Sequence, residues 1–299
     1  MIKNKFNKIK FLLFTLALIT TAIFTLSIIK NKSKNYLRST KFTQINSYQE
    51  IKDVFDNCDQ NTLIIFDVDE TLITTQDAFA NDDWFPWYFK IIASIKYPKI
   101  IFDKEKIEHA TSIAIQKATR YVFDPDIINI IKQLQNKNIT VIALSYIKTG
   151  QVGIIENLPE WRANSLKHLG INFSYKYPNI IFTKLPKKNN NYPCLYKGIL
   201  CTNEESKGLT LSAFLDYYNL KPDKVIFFDD KTDHLNSVSS ECSRRKIIFT
   251  GYQVMRANKN KPTWNTRRAL LQLDFIIKNS QFLSDEEADK FIDCNIQTN

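Results

Sequence analysis

Glycine is scarce in this chain, six among 299 residues, and the scarcity excludes a class of site. Dinucleotide and Walker-type loops need closely spaced glycines to bring backbone N–H groups against a phosphate. Gly150 and Gly153 have neither the spacing nor the context. Histidine is rarer still: His109, His168 and His234 are dispersed, and each reads first as a surface or packed residue. The five cysteines, Cys58, Cys194, Cys201, Cys242 and Cys294, show no CxxC or CxxH spacing, which argues against structural zinc. Cys194 and Cys201 flank a turn and could pair in an exported domain, or remain free as small hydrophobes. No stretch interleaves dense basic residues with aromatics, so the net charge of +10 (41 basic, 31 acidic) does not define a nucleic-acid surface. It reads first as surface composition and second as affinity for anionic membrane or phosphorylated substrates. With 44% hydrophobic and 24% charged residues, the chain is not disordered over its length.

What is present begins with Phe11–Ile29, nineteen residues without a charge, preceded by Lys3, Lys5, Lys8 and Lys10. The length suits a membrane span. Residues 1–30 are therefore expected to be a retained signal-anchor, with a cleaved signal peptide as the second reading, since no small-x-small cleavage site stands out. Lys30, Lys32, Lys34, Arg38 and Lys41 follow the run as closely as the first lysines precede it, so charge sets no orientation. Residues 31–47 read as a polar linker leading to a first helix near Tyr48 to Phe55.

Thr62–Phe66, Thr140–Leu144, Lys224–Phe228 and Lys246–Thr250 are short apolar runs with the look of buried parallel strands. Helical patterns alternate with them, which predicts an α/β fold: a Rossmann-like parallel sheet with helices on both faces. The catalytic domain is expected over about 48–280. Two insertions are expected within it: a mainly helical cap at about 73–125, and an irregular segment at about 172–205. The cap holds Trp84, Phe85, Trp87, Tyr88 and Phe89, which either shape a substrate pocket or pack the cap's own core. Asn265–Lys278 is expected to form a helix packed on the sheet, and residues 281–299 a terminal helix capped by Ser284, with a tail.

The polar clusters of interest follow predicted strands immediately, at the sheet edge where open α/β folds bind ligands. In FDVDETL, residues 66–72, Asp67 and Asp69 offer two carboxylates to one cavity and Thr71 adds a hydroxyl. A phosphate held there needs a cation to screen it, and Mg²⁺ suits oxygen donors. FFDDKTDHL, residues 227–235, repeats the pattern with Asp229, Asp230 and then Asp233; Ser145 closes the second strand as IALSY, and Lys207 opens the next helical segment. Together these supply a nucleophile, an acid/base, metal carboxylates, and a cation and a hydroxyl for phosphate.

That ordered set, Asp67-Val68-Asp69-Glu70-Thr71, Ser145, Lys207 and Asp229-Asp230, resembles the haloacid dehalogenase superfamily over about residues 60–250. ALSY, the lysine-glycine pair at 207–208 with LSAFL, and IFFDDKTDHLNSV are similar to a bacterial branch whose members carry N-terminal export or anchor segments. The resemblance implies a Mg²⁺-dependent phosphomonoesterase. Asp67 would form an aspartyl-phosphate, Asp69 would serve as acid and then base, and Thr71 would position the Asp69 loop. Ser145 and Lys207 would bind the phosphoryl group. Mg²⁺ would sit on Asp67, the Asp69 carbonyl and Asp229, with Asp230 or Asp233 nearby. Asp69 favours phosphoryl transfer over carbon–halogen cleavage. Lys197 competes for the lysine role, but Lys207 fits better just before a helix and the Asp229 strand. Arg162, in PEWRANSLKHLG, is a candidate substrate contact, as are Trp84 and Trp87; a surface salt bridge is the plainer reading of Arg162, and Lys148 has similar standing.

The expected partners are a small phosphorylated molecule or phosphoprotein, and a membrane through the N-terminal run, with no nucleic acid. The expected location is membrane-anchored or exported in a bacterium. A catalytically silent module binding anionic lipid or a host protein, and a phosphotransferase, are the alternatives.

Overall fold

The computed structural model describes residues 42–81, 104–173, 176–255 and 262–297. Ten strands and eight α-helices lie among them, in the order β1 (Thr43–Ile45), α1 (Lys52–Asp56), β2 (Thr62–Phe66), β3 (Ile73–Thr75), α2 (Lys104–Lys117), β4 (Arg120–Val122), α3 (Asp126–Asn136), β5 (Thr140–Ser145), α4 (Leu158–His168), β6 (Ile180–Ile181), β7 (Cys194–Tyr196), β8 (Ile199–Cys201), α5 (Lys207–Tyr217), β9 (Lys224–Asp229), α6 (Thr232–Arg245), β10 (Ile248–Val254), α7 (Thr266–Asn279) and α8 (Asp285–Gln297). The main sheet runs β1-β10-β9-β2-β5-β8-β7-β6. It is parallel from β1 through β8, and β7 and β6 extend it antiparallel.

β2 is buried at every position, as a strand covered on both faces must be. Its side chains alternate: Ile64 and Phe66 pack with Phe55, Ile127, Ile131 and Leu166, while Leu63 and Ile65 pack with Leu211, Phe214, Leu235 and Val238. Helices α1, α3 and α4 thus cover one face, and α5 and α6 the other. In α3 the apolar residues Ile127, Ile130, Ile131 and Leu134 recur at helical spacing and form a single buried stripe. From β2 the chain crosses to β5 on one side, and only after α5 does it return to β9 on the other. The winding therefore reverses at β2, the position where open α/β sheets form a ligand crevice.

Several elements differ from expectation. The linker at 31–47 ends in an edge strand, Thr43–Ile45, paired with Tyr252–Val254. Only Ile45 of its three residues is buried, so no alternation announced it. The segment at 172–205 is less irregular than expected, because β6, β7 and β8 continue the sheet. Lys197 (φ 46°) and Gly198 (φ 77°) both take left-handed backbone in the two-residue turn between β7 and β8, the requirement of a type I′ hairpin. Cys194 and Cys201 face each other across that hairpin as free thiols.

α7 does not pack on the sheet. Its Ala269, Leu273 and Ile276 meet Phe79 and Ile107, Ala110, Ile113 and Ala114 of α2, because both sheet faces are already occupied by other helices. Strands β3 and β4 pair antiparallel where the segment 73–125 leaves and rejoins the core. Ser284 caps α8 through Glu287 as expected. Among the described residues no helix is long and apolar enough to cross a membrane; Phe11–Ile29 lies outside them.

Candidate functional site

Asp67 stands one residue beyond β2, and its N–H donates to the Phe228 carbonyl at 2.8 Å. Phe66 and Phe228 are register partners and their rings stack at 4.8 Å, so the next residues, Asp67 and Asp229, emerge side by side at the same sheet edge. Beyond Asp67 the chain turns tightly. Leu72 and Ile73 donate back to the Val68 carbonyl at 2.9 and 3.1 Å, and Glu70 takes left-handed backbone (φ 59°), uncommon for a residue with a side chain. Thr74 holds Glu70 by donating to its carboxylate at 3.0 Å. The Thr71 hydroxyl donates to Asp67 at 3.3 Å, and the Tyr48 hydroxyl, buried under the loop, donates to the Thr71 carbonyl at 3.1 Å.

Lys207 is the first residue of α5, whose N-cap is Ser206, and its side chain is fully buried. Nζ donates to Asp67 Oδ1 and, at 2.6 Å, to Asp229 Oδ2, so one ammonium bridges two carboxylates. Asp229 also accepts the Lys231 N–H at 2.8 Å and lies 3.2 Å from His234 Nδ1. The two acids consequently diverge. Burial, reinforced by Asp229 and only partly countered by Lys207, pushes Asp67 up to about 6. Burial opposes ionisation of Asp229 too, but Lys207 and His234 outweigh it and hold that carboxyl below the ordinary range. Burial pulls Lys207 down, yet the two carboxylates more than offset it. Asp230 completes a group of three carboxylates with oxygens within 4.8 Å of one another. Asp233, in the first turn of α6, is exposed and outside that group.

Asp69 points elsewhere. Both of its oxygens are taken by the Arg162 fork, at 2.8 and 2.7 Å. Arg162 is 5% exposed, and it lies against Trp161 with Arg120 on the same ring. The surface salt bridge expected as its plainer role is thus a bidentate pair between a buried Arg162 and a half-buried Asp69. Ser145, 1% exposed at the end of β5, has a hydroxyl without a partner among the described residues, and so has Thr202, whose N–H donates to the Ser145 carbonyl at 3.1 Å. A buried polar atom left unsatisfied costs roughly 1–3 kcal/mol, which marks these hydroxyls as positions for a ligand or water.

The candidates brought together are thus Asp67, Thr71, Lys207, Asp229 and Asp230, with Asp69 on Arg162. Lys197 turns instead toward Asn164, Lys148 pairs with Glu108 at 3.1 Å, and His109 meets Ser280 and lines an open cleft of about 670 Å³ that shares no residue with the acidic set. Trp84 and Trp87 lie outside the described residues. His234, which stacks on Tyr146 at 5.5 Å, has a larger part than its sequence context suggested, since it neighbours Asp229 directly. Arg120 and Thr202 were not candidates at all. Arg120 carries no motif, and only strand pairing of β4 with β3 brings it here.

The fold and site define an α/β protein with a buried carboxylate–lysine cluster at the switch point of its sheet. By sequence the chain belongs to the family described as "Protein of unknown function (DUF2608)", whose model matches residues 39–289. It is similar to an uncharacterized protein of Rickettsia bellii (strain RML369-C), 27% identical over 225 residues, 70% of this chain and 75% of that one. A second uncharacterized relative, from Rickettsia prowazekii (strain Madrid E), is 23% identical over 246 residues, covering 81% and 87%. A Chlamydia trachomatis serovar D protein named "Putative outer membrane protein" is 28% identical over 211 residues, covering 68% and 72%. No solved structure matches.

Proposed function

We propose that the protein is a haloacid dehalogenase-like phosphomonoesterase that works through a phosphorylated Asp67, beneath a mainly helical cap. The observation that carries this reading is the Lys207 ammonium, buried and bridging Asp67 and Asp229 at the crevice of the sheet. Such a cation cancels the repulsion that otherwise keeps a carboxylate from a phosphate dianion. Asp67 attacks phosphorus as the bond to the leaving oxygen breaks. Asp69 gives that oxygen a proton, and later takes one from the water that cleaves the acyl phosphate. Both Asp69 oxygens lie in the Arg162 fork, so the carboxyl must turn out of the fork to act. The Ser145 hydroxyl, without a partner among the described residues, is available to a phosphoryl oxygen.

The all-oxygen donor set fits Mg²⁺: Asp67, Asp229 and Asp230, with the Asp69 carbonyl, would hold it. When bound, the ion polarises the phosphoryl oxygens and screens the carboxylates from one another. The substrate is a small phosphorylated molecule or phosphoprotein. An anchored or exported enzyme is in keeping with the Phe11–Ile29 run and with the outer-membrane name of the chlamydial relatives.

The test is hydrolysis, with and without Mg²⁺, of p-nitrophenyl phosphate, nucleotides, sugar phosphates and phosphotyrosine peptides, alongside Asp67→Asn. Metal-dependent turnover that vanishes in the variant is the expected result. Folded protein that neither turns over any substrate nor binds a phosphate analogue would sink the reading.

A further inference from the structure

Arg162 is a buried guanidinium whose two terminal nitrogens are filled by a carboxylate of the protein itself, while its Nε has no acceptor among the described residues. A second guanidinium lies beside it. Arg120 Cζ is 4.9 Å and Arg162 Cζ 5.4 Å from the centre of the one Trp161 ring. Arg120 donates to the Ala118 carbonyl at 3.2 Å and makes no ion pair among the described residues. Two cations thus converge where, among the described residues, one carboxylate, Asp69, is at hand, and low-dielectric surroundings make such an excess of charge unfavourable until an anion arrives. Burial, with Arg162 adding to it and Asp69 opposing, pulls Arg120 down to about 10.

We propose that Arg162, Arg120 and Trp161 form a second anion-binding subsite on the leaving-group side of the phosphoryl site. The substrate is then a phosphomonoester whose leaving group itself carries a carboxylate or a further phosphate. The inference rests on the phosphatase reading, because it is Asp69's place beside the leaving oxygen that fixes which side of the phosphate Arg162 serves.

Asp69 is the stand-in occupant of this subsite. A planar fork receives a substrate carboxylate or phosphate with the same two parallel hydrogen bonds that it now gives to Asp69. Exchange of one anion for the other keeps Arg162 satisfied and frees Asp69 to turn toward the leaving oxygen. An ester with an uncharged leaving group must break the Arg162–Asp69 pair with nothing to replace it. The subsite therefore selects substrates by the charge of the part that departs.

Non-hydrolysable phosphonates test this on the full chain in detergent with Mg²⁺. Calorimetric titration compares phosphonoacetate with ethylphosphonate, and 3-phosphonopropionate with propylphosphonate, pairs that differ by a carboxylate for a methyl. In at least one pair the carboxylate member should bind about tenfold tighter or more, and Arg120→Gln and Arg162→Lys should each reduce that preference several-fold. Equal affinity in both pairs, or a preference that survives in both variants, overturns the subsite while leaving the phosphatase reading standing. Failure of all four compounds to bind overturns that reading and the subsite with it. A variant that loses its fold also loses the two alkylphosphonates and is recognised by that, and the wild-type ratio then decides the question alone.

Discussion

At the scale of single residues, the site is a problem of charge. Asp67 and Asp229 are buried side by side, and Lys207 is the cation that both touch. Replacing Lys207 by Met leaves two carboxylates facing each other with only the His234 contact on Asp229 as compensation. Removal of one member of a buried ion cluster costs about 3–5 kcal/mol. Urea unfolding of Lys207→Met in the absence of metal should show a midpoint lowered to that extent at an unchanged slope; an unshifted midpoint would mean that the bridge does not form. Asp67→Asn should instead remove turnover by a factor of at least about 10³, because the amide cannot act as the nucleophile. These residues were legible in the sequence because each stands where a strand ends or a helix begins. The pairing of Arg162 with Asp69 was not, since the two are 93 positions apart and nothing local to either requires the other.

At the scale of elements, two connections carry the arrangement. Helices α5 and α6 are tied by Arg245, which donates to the Ser212 hydroxyl at 2.7 Å and pairs with Asp216 at 2.8 Å; Glu241, one turn back on α6, holds both Arg244 and Arg245. Burial works against ionisation of Glu241, but the hydrogen bonds from Arg244, Arg245 and Ser212 prevail and bring it down to about 2 from an ordinary 4.5. The folded form thus holds fewer protons than the unfolded chain between these values. The stability contributed by Glu241 is present above about pH 4.5 and is lost as pH falls toward 2. Glu241→Gln should be less stable than wild type at neutral pH, with the difference shrinking through that window; chemical unfolding at a series of pH values measures it. The other connection is the turn at Lys197 and Gly198. Gly198 has φ 77°, and a Cβ there would stand 2.1 Å from the Phe173 carbonyl oxygen. Gly198→Ala should therefore cost more than about 1 kcal/mol and loosen the β7–β8 hairpin, seen as faster amide exchange in β8. The sequence marked a turn between Cys194 and Cys201, but strands of three residues are too short for periodicity to declare them.

At the scale of the whole molecule, the expected outcomes concern metal and membrane. A cation that binds the native carboxylates and not the unfolded chain stabilises by mass action. At a hundred times its dissociation constant, Mg²⁺ should raise Tm by about 5–10 °C for a domain of this size, and Asp229→Asn should abolish the rise in a thermal scan. The full chain should remain in the membrane pellet after an alkaline wash, whereas a chain starting at residue 42 should not. Release of both would sink the anchor reading.

The sequence by itself determined the alternation of buried strands and amphipathic helices, and with it a parallel sheet. It also determined that acids would stand where β2 and β9 end, at Asp67 and Asp229. Those properties follow from local rules: an apolar run needs burial on both faces, and a strand must end where charge begins. The tertiary structure alone decided which side chains share a cavity. It set Arg120 and Arg162 against one indole, turned Asp69 into the Arg162 fork, and sent α7 to α2 because both faces of the sheet were already covered. Such contacts join segments far apart in the chain, and they are fixed by packing and electrostatics that no window of neighbouring residues contains.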